Sequence, residues 1–162
     1  MTTAAERFTV TPIGRIVATR AEPTDDRWGE TAASIVLAPQ FGPDALLGLD
    51  AFSHVEVLFL FDRVDPARVE TGARHPRGNA AWPRVGIFAQ RGKRRPNRIG
   101  STIARIVEVR GTTLVVAELD AIDGTPVLDL KPVMREFLPR GELRQPAWVA
   151  QLMAAYWRAA DD

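Results

Sequence analysis

The chain has 162 residues and a formal net charge of +1, with two histidines and no cysteine. The lack of cysteine excludes disulfides, thiolate catalysis and cysteine-ligated metals, and two histidines disfavour a histidine-rich zinc site. Because the net charge is so small, any affinity for nucleic acid must come from a local basic patch. The length corresponds to about one domain, and no apolar run approaches a membrane span. We therefore expect one domain over residues 1–162, in a reducing cytoplasm, without a metal ion or a membrane segment.

The first third of the chain predicts short strands separated by polar turns. We expect strands at residues 8–18, 34–37 and 55–61, and one or two helical turns at residues 44–49. The strand at 55–61 is continuously apolar apart from Glu56, which indicates a central strand with both faces covered. Residues 20–30 form a polar segment with one tryptophan, Trp28, interpreted either as a lid over the core or as a stacking surface for a purine.

Two segments in the middle of the chain are candidates for a binding site. Residues 62–84 have no periodicity, and a loop of this length inside a compact domain is usually functional or disordered. Residues 85–100 open as a strand through Ala89 and then form a loop, in which five of the eight residues 91–98 are basic. Pro96 and Asn97 fix a turn there. We interpret the loop as a rigid receptor for an anion or a carboxylate, and an ordinary solvated surface loop is the alternative.

The last third predicts a hairpin, a further strand and a terminal helix. The hairpin pairs residues 103–109 with 113–118, and the strand follows at 127–131 after a turn at 119–126. The helix begins at about residue 146 and carries an apolar stripe, interpreted as core or subunit packing. The residues of that stripe are Val149, Leu152, Met153, Tyr156 and Trp157. The fold class is therefore mainly β, a small β-barrel of coiled sheets with a short helix and a C-terminal helix.

Conventional catalytic signatures are missing, but the residues suggest a ligand with both signs of charge and an aromatic ring. Arg91 can clamp a carboxylate, and Asp120 can pair with an amine or with ribose hydroxyls. Leu119 and Phe88 can pack on a heterocycle. A zwitterionic, purine-bearing cofactor such as S-adenosylmethionine has all three features, although composition alone does not single it out. Asp120 and Asp123 are alternatively turn-capping groups.

Three segments of the sequence are similar to a known family. They contain Phe-Ser-His-Val-Glu at 52–56, Phe-Ala-Gln-Arg-x-x-x-Arg-Pro-Asn-Arg-Ile-Gly at 88–100 and Leu-Asp-Ala-Ile-Asp-Gly-Thr-Pro at 119–126. Over roughly residues 8–132 the chain resembles the TsaA-like (TrmO) family. The resemblance implies a small β-barrel domain, usually dimeric, that binds S-adenosylmethionine. It also implies N6-methylation of threonylcarbamoyladenosine beside the tRNA anticodon.

The resemblance implies the cofactor contacts, whereas the catalytic and RNA-contact candidates follow from the chemistry of the residues themselves. The cofactor-binding candidates are Arg91, Ser101, Ala117, Glu118, Leu119, Asp120, Asp62 and Arg63. Asp120 is also the catalytic candidate, because a carboxylate that accepts the proton of a weakly nucleophilic adenine nitrogen would help the transfer; His54 and His75 compete for that role. The candidates for substrate or RNA contacts are Lys93, Arg94, Arg95, Arg74, His75 and Arg77.

Two departures from the family's pattern concern the substrate. The usual Pro-Arg-Gln near the N-terminus is replaced by residues 25–29, which include Asp25, Asp26 and Trp28. Longer members carry an additional C-terminal domain, whereas we expect this chain to stop after one helix. The alternatives are therefore a methyltransferase for a small molecule or another RNA, and a non-catalytic module that binds S-adenosylmethionine or RNA.

Overall fold

The computed structural model of the protein describes residues 5–159 and contains a closed barrel of six antiparallel strands. The strands are β1 (Gly14–Ala18), β2 (Ala32–Leu37), β3 (His54–Leu60), β4 (Ala73–Arg74), β5 (Val85–Gly86), β6 (Ile99–Arg110), β7 (Thr113–Ala117) and β8 (Pro126–Pro132). The barrel order is β1-β2-β7-β6-β3-β8, and β8 pairs back onto β1. β4 and β5 form a separate two-stranded sheet. The prediction of a mainly β barrel is confirmed.

The helices of the described residues are short. One α-helix, α1, covers Ala147–Leu152. Short 3₁₀ turns cover Pro43–Leu46, Leu49–Ala51, Pro66–Arg68, Pro76–Gly78, Ile87–Ala89, Pro96–Arg98 and Arg135–Phe137. The helical turns predicted after Pro43 are the first two of these. No helix within residues 5–159 has the length and apolar composition that crossing a membrane requires.

Alternating side chains fill the barrel, as a closed sheet requires. In β3, Val55, Val57 and Phe59 are buried and the residues between them are half-buried, so this strand is covered on both faces as predicted. Opposite Phe59 lies Gly100 of β6, and a Cβ there would come within 2.4 Å of the Phe59 ring. Gly100 therefore lies inside a strand and makes room for an aromatic ring.

The hairpin of β6 and β7 is confirmed. Its two-residue connection begins at Gly111, whose φ of 58° lies in the left-handed region that glycine tolerates. A register shift between Ile106 and Glu108 bends the strand pair. β6 begins at Ile99, earlier than predicted, and this extension brings the end of the basic loop directly onto the barrel.

Three predicted elements are shorter than expected. β1 begins at Gly14, and Pro12, which lacks an N–H for the ladder, lies outside it. The strand predicted through Ala89 covers only Val85–Gly86, because the chain curls at 87–89 to bury Ile87 and expose Phe88. The terminal helix ends at Leu152, so the predicted helical stripe does not extend to Tyr156 and Trp157.

Candidate functional site at one end of the barrel

The candidate site is built around Asp120, just beyond the end of β7. The chain leaves the strand through Glu118, whose positive φ of 64° turns the backbone so that Leu119 enters the core while Asp120 stays half-buried. Both carboxylate oxygens of Asp120 accept hydroxyl hydrogen bonds. Thr102 of β6 donates to Oδ1 and Tyr156 donates to Oδ2. Each oxygen keeps one further lone pair for another donor.

Tyr156 is the only tyrosine in the sequence, and it remains a donor over the working pH range. Burial raises the pKa of its phenol well above the ordinary value, and the charge and hydrogen bond of Asp120 raise it further. The positive charges of Arg91 and Arg77 act in the opposite direction. Tyr156 is therefore influenced by charges of both signs, the Asp120 carboxylate and the two guanidinium groups.

Tyr156 belongs to the C-terminal strap, defined here as residues 155–159, which lies along the polar segment at residues 27–29. Backbone N–H groups of Arg27, Trp28 and Gly29 donate to carbonyls of the strap at 3.1, 2.7 and 3.1 Å. Gly29 allows this approach, because a Cβ there would lie 2.1 Å from the Trp157 carbonyl oxygen. The strap is thereby fixed in place by its backbone.

Trp28 is buried, with 3 % of its surface exposed, so the stacking-surface interpretation is wrong for this arrangement. The Arg20 guanidinium lies 4.1 Å from the centroid of the indole ring, and the indole N–H donates to the Thr24 carbonyl. The sequence suggested an exposed tryptophan because its neighbours are polar. The burial comes from the strap, which is distant in sequence.

The long loop at 62–84 is tied to the same region. Arg77 binds both carboxylate oxygens of Asp26, at 2.8 and 3.0 Å, and this bond raises the pKa of Arg77. Trp82 donates its indole N–H to Gln151 of α1 at 2.8 Å. His75 Nδ1 lies 2.7 Å from the Trp82 carbonyl oxygen, so this nitrogen donates and is unable to accept a proton. The loop thus joins the polar segment to α1.

Internal hydrogen bonds and a tight turn shape the basic loop, residues 91–98. Asn97 and Arg98 adopt positive φ values of 63° and 52° in the turn after Pro96. Arg91 donates to the Ser101 carbonyl, and Arg95 donates to the Gln90 carbonyl at 2.7 Å. The Arg91 side chain is exposed and keeps most of its five N–H donors for a ligand.

The six predicted RNA-contact residues differ in how far they are committed to partners within the chain. The Arg74 Nε atom lies 2.9 Å from a carboxylate oxygen of Glu70, but their geometry is not that of a hydrogen bond. The Arg94 Nη1 atom lies 3.9 Å from the other oxygen of the same carboxylate. Arg77 and Arg95 are engaged as described above, and so is His75. Lys93 has no ion-pair or hydrogen-bond partner within residues 5–159.

The remaining predicted cofactor contacts differ in whether their side chains are accessible to a ligand. Ser101 donates to Glu56 at 2.8 Å, which leaves its oxygen as an acceptor beside Arg91. Ala117 and Leu119 are buried, so only their backbone can face a ligand, and the suggestion that the Leu119 side chain packs on a heterocycle is wrong. Phe88, 76 % exposed, is free to do so.

Asp62 and Arg63 lie at the rim, where both are exposed. Arg63 joins the polar segment to the 119–126 turn by donating to the Ala21 and Asp123 carbonyls at 3.0 and 3.1 Å. The Asp123 carboxylate accepts from the Ala18 backbone N–H at 3.0 Å, so it joins the turn to β1 instead of capping the turn itself. Of the two carboxylates in the turn, Asp120 alone faces the strap.

A shallow depression of about 270 Å³ is lined by Ile103, Glu118 and Trp157. Sequence reasoning missed Tyr156, because the apolar stripe indicated packing for it. It also missed Thr102, which alternation places inside the barrel. A threonine on an otherwise apolar inward face is the one signal that could have pointed to a buried acceptor.

Comparisons with known proteins support one family. Residues 18–137 match the family described as the tRNA-methyltransferase O N-terminal domain, in agreement with the resemblance of the motifs. A tRNA (adenine(37)-N6)-methyltransferase of Escherichia coli is 40% identical over 105 residues, which are 61% of this chain and 43% of that protein. The mouse protein of the same name is 40% identical over 93 residues, 57% of this chain and 21% of its own length.

Two further relatives cover more of the chain. A probable S-adenosyl-L-methionine-binding protein of Pyrococcus abyssi is 32% identical over 163 residues, covering 93% of this chain and 81% of that protein. The crystal structure of TrmO from Pseudomonas aeruginosa superposes with a TM-score of 0.72 at 28% identity, covering 90% of this chain and 63% of that one. The chain spans less than half the length of the mouse and E. coli relatives.

Proposed function

The chain belongs to the tRNA-methyltransferase O N-terminal domain family, and from this premise we propose that it is an S-adenosylmethionine-dependent methyltransferase. We infer that its substrate is tRNA and that it methylates N6 of threonylcarbamoyladenosine beside the anticodon. The observation that carries the proposal is that Arg91 and Asp120 bind adjacent residues of β6, Ser101 and Thr102, within the family-matched region. The names of the mouse and E. coli relatives support the tRNA substrate.

The residues present fit a zwitterionic cofactor. Arg91 offers exposed N–H donors for a carboxylate, and Asp120 offers two free lone pairs for an ammonium group or ribose hydroxyls. The Ser101 carbonyl accepts from Arg91, and Arg63 donates to the Asp123 carbonyl in the turn that contains Asp120. With Asp62, Ala117, Glu118 and Leu119, these residues remain our candidates for cofactor contacts. When bound, S-adenosylmethionine supplies the methyl group from its sulfonium centre.

The protein's contribution to the transfer is alignment and exclusion of water. A neutral sulfide leaving group needs no general acid, so the missing catalytic dyad is no obstacle. Methylation of the target nitrogen releases one proton, for which Asp120 and solvent water are the two candidate acceptors. His75 is committed to the Trp82 carbonyl, and His54 is hydrogen-bonded to Ser53.

We assign RNA binding to the basic loop and its neighbours. Lys93 has no partner among residues 5–159 and is the strongest candidate for a phosphate contact. Arg94 and Arg95 flank it, held by Glu70 and by the Gln90 carbonyl. Arg74, His75 and Arg77 complete the basic surface. Because each of them has a partner within the chain, we expect their main role to be holding the loop at 62–84 in place. A tRNA substrate also argues for a cytoplasmic location.

We propose a homodimer as the working form. The segment after β8 exposes several large apolar side chains, which a second copy would cover. They are Met134, Phe137, Leu138 and Leu143. The stripe on the terminal helix is a weaker support, because Val149, Leu152, Met153 and Tyr156 are already half-buried against the chain itself. Sedimentation at micromolar protein tests the dimer, and a monomeric mass would contradict it.

One observation favours a second function. The Pyrococcus abyssi relative, which matches nearly the whole chain, is named only as a probable S-adenosyl-L-methionine-binding protein. A module that binds the cofactor without transferring its methyl group would have the same Arg91 and Asp120 arrangement. Mass spectrometry of tRNA nucleosides from cells with and without the gene separates the two: the methyltransferase predicts that one methylated nucleoside disappears, whereas unchanged nucleosides would favour the binding module.

A further inference from the structure

The C-terminal strap supplies Asp120 with a hydrogen-bond donor from outside the family-matched region. That match ends at residue 137, whereas Tyr156 lies in the strap. Its hydroxyl donates to Asp120 Oδ2, and on the other side Thr102 donates to Oδ1. The two donors come from different parts of the fold, the strap and the interior of β6. Asp120 is therefore held from two directions.

Two hydroxyl donors change the hydrogen-bonding properties of a carboxylate. Hydrogen bonds donated to the charged form of a carboxylate stabilise that form. They also fix its orientation, and they occupy one lone pair on each oxygen. Such a group is a good acceptor for a ligand's N–H or O–H group and a poor acceptor of a proton.

We propose that Tyr156 is a positioning residue that fixes the orientation of the Asp120 carboxylate, so that Asp120 binds the ammonium group or ribose hydroxyls of the cofactor and the proton of the reaction leaves to solvent. The inference rests on the proposed function, because it takes S-adenosylmethionine as the ligand. It decides between the two roles that the site leaves open for Asp120, and it adds a residue that the family match does not include.

The surroundings of Tyr156 support a fixed donor. Its ring packs edge-on against Trp157, with centroids 5.0 Å apart, and the backbone of the strap is bonded to residues 27–29. The ion pair of Arg77 with Asp26 joins the long loop to the same segment. A donor held in this way loses little conformational freedom when a ligand binds, which is what preorganisation of a site requires.

The first experiment tests the contact itself without reference to activity. Because the chain has one tyrosine, the ultraviolet absorbance of phenolate reports Tyr156 alone. In the wild type we expect ionisation above the ordinary tyrosine pKa of about 10. In Asp120→Asn, which removes the neighbouring charge, we expect ionisation at lower pH than in the wild type. A wild-type protein that titrates like free tyrosine, or an unchanged curve for Asp120→Asn, would overturn the proposal.

The second experiment tests the role. Calorimetry with S-adenosylhomocysteine and steady-state methyl transfer are measured on wild type, Tyr156→Phe, Thr102→Val and Thr102→Ser. Tyr156→Phe keeps the ring and removes only the hydroxyl, so we expect affinity to fall about fivefold to tenfold, with a matching rise in KM and kcat near the wild-type value. Thr102→Val should behave in the same way, and Thr102→Ser, which keeps a hydroxyl, should restore wild-type binding.

The outcomes separate this inference from the proposed function. A wild type that binds cofactor while Tyr156→Phe binds equally well would overturn the inference and leave the function standing. A large fall in kcat with unchanged affinity would assign Asp120 to proton transfer instead. A wild type without any heat of binding would contradict the function, and with it the ligand role of Asp120. Thermal unfolding of each variant shows whether the fold is kept.

Discussion

Asp120 and Arg91 give the site its two charges, and each is positioned by different means. The Asp120 carboxylate is fixed by two hydroxyls, whereas the Arg91 guanidinium is fixed by one bond to the Ser101 carbonyl and is otherwise exposed. The anion of the site is thus held on both sides, while the cation keeps donors available.

At the residue scale, we predict that Arg91→Ala weakens S-adenosylmethionine binding about a hundredfold. The change removes a charge-assisted, bidentate contact of roughly 2–3 kcal/mol. Calorimetry measures it, with Arg110→Ala as the matched control, because Arg110 pairs with Glu108 at the hairpin end. Equal affinity of Arg91→Ala and wild type would remove Arg91 from the cofactor site.

Also at this scale, we predict that Gly100→Ala destabilises the barrel by about 1–3 kcal/mol. Its Cβ would lie 2.4 Å from the Phe59 ring, which is packed in the core and has little room to move. Urea unfolding measures the change in the free energy of unfolding. Gly42→Ala is the control, since nothing lies within 4 Å of the Cβ it would add, and we expect that variant to stay close to the wild type. A stable Gly100→Ala would contradict the packing described for β6.

The elements of the protein follow from sequence to different degrees. β3 and the β6–β7 hairpin were predictable, because alternation and a Gly-centred turn are local signals. The strap was not, because the contact of Tyr156 with Asp120 joins residues 36 apart and depends on where the chain goes after α1. The prediction that the terminal helix extends to Tyr156 and Trp157 was wrong for the same reason, because the path of the chain after α1 depends on distant contacts. The spacing of the apolar residues fits a helix, yet the helix ends at Leu152 and the backbone bonds of the strap go to residues 27–29.

At the element scale, we predict that Gly29→Ala detaches the strap. The added Cβ would lie 2.1 Å from the Trp157 carbonyl oxygen, a backbone atom that is unable to move aside alone. Hydrogen exchange should show faster exchange of the Trp28 amide, which donates to the Tyr156 carbonyl at 2.7 Å. Cofactor affinity should fall with it, since Tyr156 would leave Asp120.

Gly72→Ala is the control for that experiment, because nothing lies within 4 Å of its added Cβ and the residue is remote in sequence from the strap. We expect its exchange pattern at Trp28 to match that of the wild type. Protection of the Trp28 amide that survives in Gly29→Ala would contradict the close approach of the two segments.

For the whole molecule, the small net charge means that RNA affinity depends on one surface. The chain has only two lysines, Lys93 in the basic loop and Lys131 at the end of β8. Lys131 lies 2.9 Å from Asp129, whereas Lys93 lacks an internal partner within residues 5–159. These two residues therefore form a matched pair for testing which lysine contacts tRNA.

We predict that Lys93→Ala reduces the salt dependence of tRNA binding and that Lys131→Ala does not. Each phosphate contact contributes a slope of about −0.7 to −0.9 in a plot of log affinity against log salt, so the loss of one contact should flatten the slope by about that amount. S-adenosylmethionine affinity should be unchanged in both variants. Equal slopes for wild type and Lys93→Ala would move the RNA surface away from this loop.

The measurement that tests the central claim most directly is methyl transfer by the purified protein. S-adenosylmethionine with an isotopically labelled methyl group is incubated with tRNA that contains unmethylated threonylcarbamoyladenosine, and the nucleosides are analysed by mass spectrometry. We predict one labelled product, N6-methylated threonylcarbamoyladenosine, and loss of that product when Arg91→Ala replaces the wild type at low cofactor concentration. Wild-type protein that binds the cofactor yet leaves every tRNA nucleoside unlabelled would contradict the assignment.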